Sequence, residues 1–357
     1  MKKPAKAVLI LEDGARFEGN SFGHAGDVFG VAVFFTGVVG YHELLTNPSY
    51  RGTLAVLTYP IIGACGVNAD DNESPAVHPA GLIVREYSRT FSNFRATGSL
   101  EDFLKAHRVV GISEVDTRAV AVHLRDHGQM QAAIVRGKSD ATKVAAKLRA
   151  AASAPARDLA AEATWAGKRR ARGKQRGTLA LVNLGVKESL LDQLADLGFA
   201  VRVVPHPASA RQVLAGKPKG IILAGGPGDP RALEGAVATT KALLGKAPLL
   251  GIGLGHQVLA LALGCRVERM KTGHRGVNCP VKELTGGRLA ITVQHHGYAV
   301  DGDSMSDGVE VTHTNLNDGT IEGVGSQALD AAGVQFHPCR DETEAPDAVL
   351  ARFSESL

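Results

Sequence analysis

The hydrophobic and polar positions of the chain change pattern near its middle. Up to about residue 135, short apolar runs bounded by glycine, proline and asparagine are typical of strands. These runs are AVLILEDG, GVAVFF, TLAVLTYP and AGLIVREY. Two stretches have helical spacing: SLEDFLKAH begins on a serine cap, and DTRAVAVHLRDHG begins on Asp116 and ends at Gly128. The pattern predicts a β-rich amino-terminal domain over residues 1–152.

A shift in composition follows this first region. The alanine-rich helical pattern SDATKVAAKLRAAASA gives way to a polar stretch that includes KRRARGKQR. The shift predicts a domain boundary, with a basic linker over residues 153–176. A formal net charge of +4 is too small to indicate nucleic-acid binding, and a short basic run is more often solvated than a nucleic-acid patch. We expect no nucleic-acid partner.

From Thr178 onwards, strand-like and helical patterns alternate. The strand-like runs TLALVNLG, FAVRVVPH, GIILAGGPGDP and PLLGI are each followed by a helical pattern. Such alternation predicts a mainly parallel sheet with helices on both faces. Shorter alternating runs after residue 276 predict an antiparallel extension, and DAVLARFSESL predicts a terminal helix. The predicted fold class is α/β, with this second domain over residues 177–357.

Composition narrows the class of protein. The chain has 357 residues, 44% of them hydrophobic and 21% charged, as in ordinary globular proteins. No apolar run approaches the ~20 residues needed to cross a bilayer, and the start MKKPAKAVLILEDG lacks a small-residue cleavage site. We therefore expect a cytoplasmic protein with no membrane partner. The four cysteines show no CxxC spacing, so neither a zinc site nor a disulfide framework is indicated.

One stretch of the second domain has the pattern of a catalytic turn. In LLGIGLGHQVLALALG, residues 249–264, an apolar strand enters a Gly-x-Gly-x-Gly turn that opens an apolar helix. That arrangement usually holds a nucleophile on a strained turn at a helix N-terminus. Here the apex is Gly253, which has no side chain. The spacing is not GxGxxG, so we do not expect a dinucleotide site.

Three motifs of the second domain resemble those of class I glutamine amidotransferases. They are GGPGDP at 225–230, GIGLGHQ at 251–257 and GVQFHP at 333–338. Segments of the first domain are similar to the amino-terminal domain of carbamoyl-phosphate synthase small subunits. They are FTGVVGYHELLTNPSYRGTLAVLTYPIIGACGVNADDNES, GLIVREYSRTFSNFR and GISEVDTRAVAVHLRDHGQM. Together these resemblances cover nearly the whole chain.

The resemblance implies a division of labour between two chains. A small subunit of this family hydrolyses glutamine and passes ammonia to a large, ATP-using subunit, which makes carbamoyl phosphate for pyrimidine and arginine synthesis. The partner implied is therefore a large synthase subunit, with glutamine or ammonia as the nitrogen source. No cofactor is expected in this chain, whereas ATP and magnesium are expected in the large subunit.

The resemblance also implies which residues form the site. Glutamine hydrolysis needs a thiolate, a histidine, an orienting carboxylate and donors for the oxyanion. His337 stands at the position of the catalytic histidine, but Gly253 replaces the nucleophilic cysteine and Cys339 replaces the glutamate. The matching glutamine-binding positions are Ser49, Gly226, Gly228, Leu254, Gln257, His295, Gly297 and Tyr298. The backbone N–H groups of Gly226 and Leu254 are expected to form the oxyanion hole, and His295 replaces an asparagine of the family.

Some of these residues also fit two other interpretations, a relocated nucleophile and a metal site. Cys339 lies two residues from His337 and could act as a relocated nucleophile, but the oxyanion donors stay at the turn and would not point at its sulfur. A metal could be bound by His256, His295, His296, His337 and Cys339. Ordinary structural roles explain these residues more simply, so we expect no metal.

The sequence thus predicts a carbamoyl-phosphate synthase small subunit with a degenerate glutaminase site. Glycine adopts the backbone angles of the turn freely, so Gly253 removes the chemistry but keeps the turn. Such a subunit would have an ammonia-dependent or structural role. The alternatives are an active glutamine-dependent synthase with compensating residues, and a non-catalytic regulatory protein.

Overall fold

The computed structural model describes residues 4–137, 140–340 and 346–357. The chain forms two compact units, Met1–Pro155 and Ala156–Leu357. No helix of the described ranges is long and apolar enough to span a membrane.

The first unit is built around a closed β-barrel. Its strands are β1 Lys6–Leu11, β2 Arg16–Gly23, β3 Val28–Phe35, β4 Thr53–Leu57, β5 Ile61–Ile62, β6 Gly81–Ile83, β7 Glu86–Tyr87, β8 Val110–Ser113 and β9 Met130–Arg136. The barrel order is β1-β2-β8-β6-β4-β3-β9, with parallel pairs between β3, β4, β6 and β8 and antiparallel pairs elsewhere. Buried aliphatic side chains such as Leu9, Leu54 and Ile134 form its core. The β-rich character predicted for this region is confirmed.

The described helices of the first unit are α1 Tyr41–Thr46, α2 Leu100–Ala106, α3 Thr117–His127 and α4 Ala141–Ala152. Three of these four, α2 to α4, lie where the sequence predicts helices, whereas α1 was not predicted. The Ser99 side chain accepts a hydrogen bond from the N–H of Asp102, and Asp116 accepts one from Ala119. Gly128 follows α3 with a φ of 94°, a conformation that favours glycine. These caps satisfy helix-end groups that would otherwise have no partner.

The second unit contains one large mixed sheet with flanking helices. Its strands are β10 Gly167–Arg169, β11 Gly177–Gly185, β12 Phe199–Pro205, β13 Gly220–Gly225, β14 Leu249–Ile252, β15 Val267–Glu283, β16 Leu289–Val300, β17 Glu310–Asn315, β18 Ile321–Ser326 and β19 Ala331–Val334. Its helices are α5 Leu159–Ala163, α6 Glu188–Asp196, α7 Ala210–Leu214, α8 Glu234–Leu243, α9 Leu254–Ala262 and α10 Ala348–Glu355.

The sheet has the order β10-β12-β11-β13-β14-β19-β18-β16-β15-β17. Strands β12, β11, β13, β14 and β19 are parallel, whereas β15 to β18 pair antiparallel with their neighbours. The predicted α/β class, the parallel sheet and its antiparallel extension are all confirmed. In a parallel sheet the carboxyl ends of the strands meet at one edge, so β13, β14 and β19 bring their following loops together.

The stretch expected as a basic linker differs from that expectation. Residues from Ala156 onwards belong to the second unit, α5 contributes the buried Ala160, and β10 pairs with β12. The basic side chains of this stretch face acidic groups on α6: Arg169 pairs with Glu188, and Arg172 lies 2.8 Å from Asp192. The composition signalled the boundary, but apolar positions such as Ala160 were too sparse to reveal the elements beyond it.

Candidate active site

The turn between β14 and α9 has the geometry of a nucleophile elbow. Gly253 lies at its apex with φ 60° and ψ −118°, a backbone conformation that residues other than glycine rarely adopt. Its N–H donates to the carbonyl oxygen of Val334 on β19 (2.9 Å), and its carbonyl oxygen accepts from the N–H of Gln257 (3.2 Å). The turn is therefore held by the sheet on one side and by the helix on the other.

The three glycines of this turn differ in the space around them. A Cβ on Gly255 would lie 2.1 Å from the Leu223 carbonyl oxygen, and one on Gly251 would lie 2.7 Å from the Gly255 oxygen. By contrast, a Cβ on Gly253 would meet nothing nearer than 3.9 Å. Close packing of strand and helix thus requires glycine at 251 and 255. The apex has room for a side chain and lacks one.

His337 lies on the segment that follows β19, and β19 pairs with β14, the strand that enters this turn. The His337 N–H donates to the carbonyl oxygen of Val293 (2.9 Å), and its ring centroid is 5.4 Å from that of His295 on β16. Within residues 4–137, 140–340 and 346–357, no carboxylate hydrogen-bonds to the His337 ring. Cys339, at the position expected for the orienting acid, is exposed.

Among the described residues, positive charge rather than a carboxylate acts on His337. Burial, followed by the charges of Lys187 and His296, holds the pKa of His337 well below its usual range. Burial, His337 and Lys187 lower the pKa of His295 in the same way. Lys187 is buried at the start of α6. Both imidazoles are therefore neutral near pH 7, and neither is stabilised as the imidazolium that a thiolate–histidine pair contains.

The residues expected to bind glutamine in this unit gather at the turn. Gly226 lies on the loop after β13, and a Cβ placed on it would lie 2.7 Å from a Leu254 side-chain carbon. Gly228 is two residues further along the same loop, where a Cβ would face Leu159 at 3.5 Å. The role of the Gly226 and Leu254 N–H groups as oxyanion donors stays a prediction from resemblance.

Another position of this set, Gln257, links α9 to β16. The Gln257 amide nitrogen donates to the carbonyl oxygen of Tyr298 and to the side-chain oxygen of Gln335, both at 2.8 Å. Tyr298 and Gly297 follow His295 on β16. Burial and Asp229 raise the pKa of Tyr298. Ser49 lies in the first unit on a short turn, Pro48–Tyr50, where its N–H donates to the Asn47 side chain.

The five residues considered as metal ligands do not form one cluster. Among the described residues, the histidine–carboxylate group with donor atoms close together is instead His274, His296 and Glu322. His256 is fully buried and burial lowers its pKa to about 4. Cys339 is exposed. That it has no catalytic role stays a prediction.

Comparison with known proteins places this geometry in a family. Residues 9–134 match the carbamoyl-phosphate synthase small chain, CPSase domain, and residues 180–356 match the class-I glutamine amidotransferase domain. The carbamoyl phosphate synthase small chain of Syntrophotalea carbinolica is 42% identical over 93% of this chain and 92% of its own. That of Oceanobacillus iheyensis is 42% identical over 99% of this chain and 95% of its own. The chain belongs to the carbamoyl-phosphate synthase small-chain family.

One solved structure is a more distant match. A glutamine amidotransferase from Thermotoga maritima is 21% identical, with a TM-score of 0.37 over 45% of this chain and 75% of its own.

Lys187 is the residue of this family member's site that sequence reasoning missed. It precedes α6 in the stretch LGVKESLL, which gives no sign that the ammonium group faces two histidines more than 100 residues away. The carboxyl end of β11, which leads into this stretch, was a signal that could have found it, since residues after parallel strands converge.

Proposed function

We propose that this chain is the small subunit of a carbamoyl-phosphate synthase that has lost its own glutamine hydrolysis and takes ammonia as nitrogen donor. The observation that carries the proposal is the apex of the elbow, where the backbone is shaped for a nucleophile and Gly253 supplies none. Loss of the nucleophile alone costs about 10⁶-fold in a comparable triad.

The surroundings of His337 support the same proposal. A general base that activates a thiol must accept its proton, and an adjacent carboxylate favours that charged state. Lys187 does the opposite, because its positive charge lowers the pKa of His337. A thiol supplied from elsewhere would therefore meet an imidazole that is a weak base.

The substrate pocket has changed as well as the catalytic groups. The asparagine of the family, which offers an amide donor and acceptor, is His295 here, and its neutral ring packs against His337. The backbone at Gly226, Gly228 and Leu254 is kept, so the pocket retains its main-chain donors without its side-chain chemistry.

A large, ATP-using subunit is the partner that we propose, with ATP and magnesium bound in that subunit. The first unit exposes large apolar side chains that a monomer would normally cover, Phe94 being 98% exposed. Other exposed large apolar side chains of the first unit are Phe29, Val38, Val39, Tyr59, Ile61, Phe91 and Val122. Such a surface fits a protein interface, where buried aromatic side chains contribute most of the binding energy. The carbamoyl phosphate made by the complex would serve pyrimidine and arginine synthesis.

The test is to purify the chain with the large subunit of the same organism and to compare nitrogen donors. We expect carbamoyl phosphate to form with ammonium and not with glutamine. Formation with glutamine at a comparable rate would overturn the loss of hydrolysis and favour compensating residues, for which the sequence offers Asp341, Glu342 and Glu344, outside the described residues.

The partner surface has a separate test. We expect Phe94→Asp to weaken the complex by more than 10-fold, whereas Leu289→Asp, at an exposed apolar position of the other unit, leaves it intact. If the wild-type chains elute separately at micromolar concentration, the partner proposal fails and a regulatory role is favoured.

A further inference from the structure

Three strands of the antiparallel extension bring two histidines and a glutamate together. His274 on β15 is directly opposite His296 on β16, and Glu322 lies on β18, which pairs with β16. One donor atom from each residue lies within 4.8 Å of the other two. In particular, Glu322 Oε1 is 3.4 Å from His274 Nδ1 and 4.0 Å from His296 Nε2.

The carboxylate of this cluster is only half satisfied. Glu322 is 0% exposed, and its Oε2 has no hydrogen-bond partner, whereas Oε1 accepts from the Asn315 side chain at 3.0 Å. An ionised carboxylate buried in this way is costly unless a cation or further donors compensate it. Oε2 is thus buried without a hydrogen-bond partner, and Oε1 is the oxygen that lies near the two ring nitrogens.

Both histidines are oriented for ligation. His296 Nδ1 lies 2.8 Å from the carbonyl oxygen of Tyr298, which can only accept, so the ring proton is on Nδ1 and the lone pair is on Nε2. His274 Nε2 lies 2.9 Å from Asp318, and its Nδ1 lies 3.4 Å from both Glu322 Oε1 and the side-chain nitrogen of Asn315. Metal-bound histidines are typically held by a backbone carbonyl or carboxylate on the far nitrogen.

A second contact points to a cation at the same place. Gln294 Oε1 lies 2.9 Å from His296 Nε2. In this orientation the amide nitrogen of Gln294 donates to the Thr292 hydroxyl at 3.1 Å, and the amide oxygen lies beside Nε2. An ion bound at Nε2 would have this oxygen within reach as a further donor.

We propose that His274 Nδ1, His296 Nε2 and Glu322 bind a zinc-class divalent cation. Ligands at ~2.0–2.1 Å in a tetrahedral zinc site lie ~3.3–3.4 Å apart. The 3.4 Å separation already has that value, the 4.0 Å separation needs a contraction of about 0.6–0.7 Å, and the two histidine nitrogens, within 4.8 Å of each other, must also approach that value. Two imidazoles and a carboxylate suit zinc, whereas calcium and magnesium prefer oxygen ligands alone. The fourth position is open to water or to Gln294 Oε1.

The site has an entry path and a structural role. The side chains of His274 and Asp318 are 16% and 42% exposed, so an ion reaches the cluster from solvent. The bound ion would tie β15, β16 and β18 together, and β16 also carries His295 and Tyr298 into the candidate active site. The proposal does not depend on which nitrogen donor the complex uses.

The experiment is zinc titration of the full chain after removal of metal with a chelator. We expect one equivalent of zinc by elemental analysis, and a zinc-dependent rise in melting temperature. Glu322→Gln and His274→Gln should each weaken zinc affinity by more than about 100-fold, and Asp318→Asn by about 10–100-fold. The matched control is His123→Gln, which removes another histidine–aspartate pair, 2.6 Å long, from the first unit and should change nothing.

Cobalt loading gives a readout that does not depend on stability. The wild-type chain loaded with Co²⁺ should show the visible absorption of a tetrahedral site, and Glu322→Gln should not. If the wild-type chain takes up no zinc, the cluster is an ion-paired network in which protonated His274 neutralises Glu322, and the proposal is wrong. Equal zinc affinity in wild type and Glu322→Gln would also overturn it.

Discussion

The turn at Gly253 and the strand end at His337 belong to one site but have kept different parts of it. At the turn, the unusual backbone angles, the close packing at Gly251 and Gly255 and the helix N-terminus are all present. At the strand end, the imidazole is present, but its neighbours are Lys187, His295 and an exposed cysteine. The backbone of the turn is maintained because the packing of strand against helix requires it. Side-chain chemistry contributes nothing to that packing and can be lost on its own.

The first prediction concerns glutamine hydrolysis by the unmodified chain. We expect glutamate release from glutamine at the background rate, because a missing nucleophile costs about 10⁶-fold. The measurement is steady-state glutamate release by the purified chain, alone and with its large subunit. Release at about 1 s⁻¹ or faster, a rate typical of enzymes, would show that the strand end still works.

The second test first restores the nucleophile at the turn and then the side chains around His337. Gly253→Cys returns a thiol beside His337, but nothing then orients the imidazole, and loss of the orienting acid costs about 10⁴-fold in a serine triad. We therefore expect the single variant to stay near background and expect partial activity only when Cys339→Glu and His295→Asn are added.

The readouts for these variants are glutamate release and a covalent glutamyl adduct detected by mass spectrometry. Gly253→Ala, which adds a Cβ without a thiol, is the matched control. Full activity in the single variant would mean that another residue supplies the orienting carboxylate.

The third prediction separates two glycines of the same turn by stability. Gly255→Ala forces a Cβ to 2.1 Å from the Leu223 oxygen and should cost several kcal/mol or abolish folding. Gly253→Ala meets no atom within 3.8 Å and pays only the backbone strain at φ 60°, about 1–3 kcal/mol. Urea denaturation measures both free energies of unfolding. Equal losses would contradict the packing difference described for this turn.

The smallest predicted effect is a decrease in the free energy of unfolding at mildly acidic pH. Burial lowers the pKa of His256 on α9 to about 4, below its unfolded value of about 6.5. Between these values the unfolded chain binds the extra proton, so stability falls as the pH drops from 6.5 towards 4. Between pH 7 and pH 5 the contribution is about 2 kcal/mol.

His256→Gln should flatten this part of the pH dependence, measured by urea denaturation at each pH. His78 in the first unit also has a pKa lowered to about 4 by burial, so His78→Gln provides the corresponding comparison there. An unchanged slope in His256→Gln would show that His256 is not neutral in the folded chain.

Local signals in the sequence predicted much of this fold. Ser99, Asp116 and Gly128 mark helix ends because their side chains or backbone angles act within a few residues. Apolar periodicity gave the order of strands and helices, and the three motifs gave the positions around the turn. The closure of the first sheet into a barrel was beyond such reasoning, since it depends on which distant strands pair.

The cluster of His274 and His296 and the position of Lys187 were not predicted, for the same reason. His274 faces His296 only because β15 shifts its register against β16 between Arg269 and His274. A bulge of this kind moves every later side chain relative to its partner, and the spacing of histidines along the sequence does not reveal it. Lys187 lies near His337 through the convergence of loops that are far apart in the chain.

The two edges of the large sheet differ in how open their strands are to pairing with a second chain. At one end β17 pairs with both β15 and β18, so the strands fold back on themselves and offer little free edge. At the other end lies β10, which has only three residues, including Lys168 and Arg169. Short edge strands that carry cationic side chains discourage a second chain from adding to the sheet. We therefore expect the short β10 strand, with its cationic residues, to disfavour the pairing of a second chain at this edge.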